Sequence, residues 1–72
     1  MSLPKSFDRD ISRRIKDLRE AMNLTYEDLA ARVGVAVDEI AAYESGESEV
    51  PVSYLYAVAK ATGVDLTALI TG

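Results

Sequence analysis

Apolar residues recur along this chain at helical spacing, and nowhere do they alternate as a strand requires. Ile11, Ile15, Leu18 and Met22 fall at i, i+4, i+7 and i+11, with Arg and Asp residues filling the other face. They predict a first helix from about Asp8 to Met22, entered past Pro4 and Ser6. Asn23 suits its end because Asn tolerates the left-handed backbone of a helix cap. Thr25 with Asp28 three residues on reads as an N-cap close to a capping box, and Leu24 and Leu29 bracket it as a hydrophobic staple would. That second helix ends at Gly34, where a positive φ costs glycine little. A third helix spans about Val37 to Ser45 on the apolar positions Val37, Ile40 and Tyr43, and Gly46 closes it. Its cap position is Ala36, which has no side-chain acceptor, at an expected cost of about 1 kcal/mol relative to Ser. Asp38 and Glu39 in the first turn compensate in part through the helix dipole.

After the acidic segment 47–50, Pro51 fits the first turn of a fourth helix reaching about Thr62, with Leu55, Val58 and Ala59 on its buried face. Gly63 ends it. Asp65 caps a last short helix containing Leu66, Leu69 and Ile70. Tyr54 and Tyr56 lie on different sides of the fourth helix, so at least one is exposed, while Tyr43 belongs in the core. The expected architecture is all-α: a short arm over residues 1–7, then five helices around one small core over residues 8–72.

With 72 residues there is room for a single core. The chain has no Cys and no His, which removes disulfides, thiolate metal sites and the commonest general base. No apolar run approaches the ~20 residues of a membrane span, and no secretory signal opens the chain. A cytoplasmic protein without catalytic, metal or cofactor residues is expected.

Charge changes the picture. Residues 1–20 hold six basic and four acidic groups, net +2, whereas residues 21–72 hold two basic and eight acidic groups, net −6. Between Gly34 and Val50 there are five acids and no base. Because nucleic-acid affinity comes largely from Lys and Arg neutralising phosphates, non-specific DNA binding should be weak.

Two short helices joined by a glycine turn are the geometry a helix-turn-helix uses to place its second helix in a major groove. The segments Ile15–Glu20, Leu24-Thr25, Glu27–Ala30, Gly34-Val35, Ile40, Tyr43–Gly46, Leu55, Ala59 and Gly63-Val64, in that order and spacing, resemble the phage-repressor-like (lambda-repressor-like) helix-turn-helix domain of the xenobiotic-response-element (XRE) class of regulators. The likeness runs from residue 8 to 70. It implies sequence-specific DNA binding in transcriptional regulation, with the third helix in the major groove. It also implies a buried pair between a basic residue late in the first helix and a glutamate late in the third, here Arg19 and Glu44. The DNA-contacting positions map onto Thr25 and Tyr26 at the start of the second helix and onto Ala36, Val37, Asp38, Glu39 and Ala42 in the third.

Departures from that pattern stand out. Tyr26 occupies a position where the class commonly has glutamine. None of the five third-helix residues can make a bidentate contact to guanine or adenine. Ala36 or Val37 can meet a thymine methyl, and Asp38 or Glu39 can accept from a cytosine amino group. Glu47 and Glu49 stand in a loop that is often basic. Thr25 and Tyr26 still offer hydroxyls and backbone N–H groups to a phosphate. The alternative function is therefore a protein-interaction or dimerisation module on the same scaffold, with DNA binding weakened or lost and an acidic third helix facing a basic partner. An enzyme is remote, since Asp38 beside Glu39 reads as a pair of capping charges.

Leu66, Leu69 and Ile70 look like more apolar surface than a terminal helix needs, and the chain stops directly after them. Two arrangements account for this: a homodimer through the C-terminal helix, or a C-terminal sensor domain in a longer parent. The wording of residues 50–55 and 63–72 is similar to members carrying a cupin sensor.

Overall fold

A computed structural model describes residues 5–71 of the chain. Within them run five helices: α1 (Lys5–Ala21), α2 (Tyr26–Val33), α3 (Val37–Ser45), α4 (Val52–Thr62) and α5 (Leu66–Thr71). No strand occurs among the described residues. The structure therefore bears out the all-helical expectation, with differences at several boundaries. α1 begins at Lys5, three residues before the expected start, because nothing between Lys5 and Asp8 breaks a helix. The N-terminal part of the expected arm, residues 1–4, lies outside the described residues.

α1 also ends earlier than expected. Asn23 adopts a left-handed φ of 56°. Its N–H bonds the Glu20 carbonyl at 3.0 Å and the Leu24 N–H bonds the Arg19 carbonyl at 3.1 Å, the paired bonds of a Schellman cap. Met22 thus sits in the turn, exposed, and not on the buried stripe.

The α2 cap forms in full. Thr25 Oγ1 accepts from the Asp28 N–H at 3.0 Å, and Asp28 Oδ2 accepts from the Thr25 N–H at 3.1 Å. Gly34, at φ 72°, donates to the Ala30 carbonyl and turns the chain toward α3. α3 starts at Ala36 without a side-chain cap. Pro51 is the N-cap of α4 and not part of its first turn: its extended backbone lets its carbonyl accept from Tyr54 and Leu55.

The core gathers Ile11 and Ile15 from α1, Leu29 from α2, Ile40 from α3, Leu55, Val58 and Ala59 from α4, and Leu69 from α5, with Val50 and Tyr54 completing it. α1 packs on α3 and α5, α2 on α3 and α4, and α4 on α5. The surplus of apolar surface expected on the last helix is absent. Leu69 is buried, and Leu66 and Ile70 lie half-buried against the core. Asp65 Oδ1 accepts from the Thr67 N–H at the helix start. At the other end Arg14 Nη1 donates to the carbonyls of Leu69 (3.3 Å) and Ile70 (2.6 Å). That cation at a helix C-terminus satisfies carbonyls the short helix leaves open and favours its dipole.

Candidate nucleic-acid interface

The α2–α3 unit is held in place from behind by Arg19. Its Nε lies 2.9 Å from Glu44 Oε2 and its Nη2 3.0 Å from Oε1, a two-pronged pair joining the end of α1 to the end of α3. Side-chain exposure is 12% for Arg19 and 2% for Glu44, so the pair is largely withdrawn from water. Hydrogen bonding to Glu44 raises the Arg19 pKa against the opposing effect of burial. Arg19 Nη1 donates to the Leu24 carbonyl at 2.8 Å, and the guanidinium lies 4.5 Å from the centre of the Tyr26 ring. One side chain therefore ties three elements together: α3 through Glu44, the α1–α2 turn through Leu24, and the first turn of α2 through Tyr26.

Behind Glu44, the Tyr43 and Tyr54 rings pack with centroids 4.6 Å apart. Burial, with the Glu44 carboxylate nearby, pushes the Tyr54 phenol above its ordinary range. Its hydroxyl is enclosed without a hydrogen-bond partner, as is that of Ser12.

On the outer side, Thr25 is exposed. Its oxygen accepts within the capping box. Tyr26 is half-buried because its ring serves Arg19, a structural task that the sequence did not signal. Ala36, Asp38 and Glu39 are exposed at the start of α3, and Val37 and Ala42 are half-buried. Ile40 and Glu44 turn inward, so the exposed edge of α3 is acidic and methyl-bearing, with no basic group.

Positive charge lies elsewhere. Arg9, Arg13 and Lys16 are exposed at i, i+4 and i+7 of α1 and line a groove of about 470 Å³ shared with Ser45 and Gly46 at the end of α3. Asp17 and Glu20 share it and temper its charge. Arg14 points away from this face, to α5. A signal for that difference was present: residue 14 lies three after Ile11 and four before Leu18, next to the apolar stripe, while residues 9, 13 and 16 lie away from it. Among the described residues no group of His, Cys, Asp or Glu is placed to hold a metal ion, and no helix is long and apolar enough to cross a membrane.

Comparison with known proteins gives a consistent set of likenesses. A family model described as helix-turn-helix matches residues 15–69. The chain is 37% identical over 59 residues to an uncharacterized transcriptional regulator in the ATPase CF(0) region of Rhodospirillum rubrum, covering 82% of this chain and 55% of that protein. Among solved structures it is similar to an HTH_3 family transcriptional regulator from Vibrio cholerae, at TM-score 0.84 and 25% identity, covering 90% of this chain and 36% of that one. The chain thus spans about half the length of the first relative and about a third of the second.

Proposed function

The chain belongs to the helix-turn-helix family, and from that premise we propose that it is the DNA-binding domain of a transcriptional regulator. The observation that carries this reading is the α2–α3 pair itself: a capped α2 start and an exposed α3 start, on helices that Arg19 ties to α1 through the α1–α2 turn and the end of α3. A helix fixed in this way can enter a major groove without the entropic cost of ordering itself first. In this reading Thr25, Tyr26 and the α2 N-terminus meet a phosphate. Ala36, Val37, Asp38, Glu39 and Ala42 face base edges, where they suit thymine methyls and cytosine amino groups. Arg9, Arg13 and Lys16 on α1 supply the cations that α3 lacks.

The names of both relatives, each a transcriptional regulator, support the same role, and for a protein in that role we infer a cytoplasmic location. The greater length of those relatives is in keeping with a longer parent chain; a cupin sensor following this domain rests on the sequence resemblance alone. An interaction module that has lost DNA is the less favoured reading, although the acidic α3 is what it would use.

Selection from a random duplex library, followed by titration of the selected sequence at about 50 and 200 mM salt, tests the proposal. A DNA reader selects a motif and loses affinity as salt rises. Three α1 cations on phosphates give a log–log slope of roughly −2.7, at about −0.9 per contact. No enrichment and no low-salt binding would refute it.

A further inference from the structure

The side chains along α3 have a one-sided chemistry. From Gly34 to Glu44 the chain holds no Arg, Lys, Gln, Asn, Ser or Thr. The one side chain in that run with a proton to donate is Tyr43, and its ring packs on Tyr54. What the start of α3 presents is Ala36, Asp38 and Glu39, all exposed, with Val37 half-buried among them. Ionised carboxylates only accept hydrogen bonds. These side chains therefore offer acceptors and methyl groups, within a single turn, and no donor. The major-groove edges of the bases sort sharply against such a surface. Guanine shows two acceptors, and adenine sets an acceptor beside its amino group. Thymine has a methyl beside O4, an acceptor that repels a carboxylate, and cytosine has an amino donor beside a bare C5. A cytosine methylated at C5 carries both wanted groups, the amino donor and the methyl, on neighbouring ring atoms.

We propose that α3 selects 5-methylcytosine in duplex DNA. Asp38 or Glu39 accepts the N4 proton that base pairing leaves free, and the side chains of Ala36 and Val37 lie against the C5 methyl. This inference rests on α3 entering the major groove, as proposed above, and adds the base it selects there. The carboxylates then act as much by exclusion as by attraction. A base with an acceptor at their position meets a buried negative charge, and that repulsion sharpens the choice. The same charge weakens attraction to the duplex as a whole, which Arg9, Arg13 and Lys16 on α1 offset in part. None of Ala36, Val37, Asp38 and Glu39 belongs to the core, so each can be changed with the fold retained.

Parallel selection from two random duplex libraries, one synthesised with cytosine and one with 5-methylcytosine throughout, tests this at low salt. The enriched sequence is then titrated as three duplexes that differ at one base pair: cytosine, 5-methylcytosine or thymine on the same strand. The methylated library should enrich more strongly. At the selected position 5-methylcytosine should bind about fourfold tighter than cytosine, the worth of one methyl removed from water. It should bind about tenfold or more tighter than thymine, where the carboxylate meets O4. Two double variants, each shown to be folded by circular dichroism, separate the two contacts. Asp38→Asn with Glu39→Gln should lose most of the discrimination against thymine, because an amide can turn to donate, and should keep the preference for the methyl. Ala36→Gly with Val37→Ala should bind cytosine and 5-methylcytosine alike and still reject thymine. Should a variant unfold, the three duplexes with wild type still decide the matter. A wild type that binds a selected motif but is indifferent to methylation overturns this inference and leaves DNA reading in place. Binding to neither library overturns both. A methyl preference untouched by Ala36→Gly with Val37→Ala overturns the contact assigned here.

Discussion

Removing the Arg19 guanidinium should be the most damaging single change to this domain that leaves its apolar core intact. In Arg19→Met an unbranched side chain remains to pack against Tyr26, but three contacts to Glu44 and one to the Leu24 carbonyl disappear. Glu44 then keeps a carboxylate that is 2% exposed with no counter-charge. Breaking a buried pair from one side costs about 3–5 kcal/mol, because the remaining charge is left uncompensated. In a domain under 100 residues each kcal/mol lowers Tm by roughly 4–8 °C, so even the low end predicts a fall of about 12–24 °C. That is comparable to the whole stability of a core this small. The double variant Arg19→Met with Glu44→Leu removes both charges and should lose less than Arg19→Met alone, a positive coupling readable from a double-mutant cycle. Thermal and urea melts followed by circular dichroism at 222 nm give the four stabilities. A loss below about 1 kcal/mol for Arg19→Met would place the pair with ordinary surface ion pairs and refute the reasoning.

Further outcomes follow from individual sites. Ala36 already has the extended backbone of an N-cap, φ −65° and ψ 148°, so Ala36→Ser should raise stability by about 1 kcal/mol; an unchanged melt would show that water already satisfies the α3 donors. The Thr25 backbone N–H, and then its side chain, hold the Asp28 carboxyl below its ordinary pKa of 3.8. Its stabilising contribution is therefore full above about pH 4, where an unfolded Asp is ionised, and is lost as pH falls through the lowered value. Melts of wild type and Asp28→Asn should consequently differ by a constant amount from pH 7 to 5 and converge toward pH 2.5; a gap independent of pH would contradict this. Tyr54→Phe removes a hydroxyl enclosed without a partner and should leave stability unchanged or slightly higher, whereas a loss above about 1 kcal/mol would reveal an ordered water bonded to it.

Local chemistry made much of the molecule legible in the sequence. Thr25 with Asp28, Asn23, Gly34, Gly46 and Gly63 act within a turn of their own position, so the start of α2 and the ends of α1, α2, α3 and α4 follow from neighbours along the chain. Helical periodicity marked Ile11, Ile15, Leu29, Ile40, Leu55 and Val58 as core for the same reason. It failed at Met22, where the left-handed turn at Asn23 ends the helix before the stripe does. The pairing of Arg19 with Glu44 spans 25 residues, and no periodicity marks it; only the family likeness pointed there.

Tertiary structure decided what depends on elements meeting. Tyr26 reads as a surface hydroxyl until α1 brings Arg19 over its ring. Arg14 is one arginine among several until α5 presents its open carbonyls. Leu66, Leu69 and Ile70 look unpartnered as a short terminal segment, yet their apolar area goes into the shared core, while Val52 and Tyr56, ordinary by spacing, are left outside it. The sequence by itself determined where most helices begin and which of their faces are apolar, because those are nearest-neighbour properties. Which apolar faces find a partner, and which charges are left free, emerged only when five helices competed for one core.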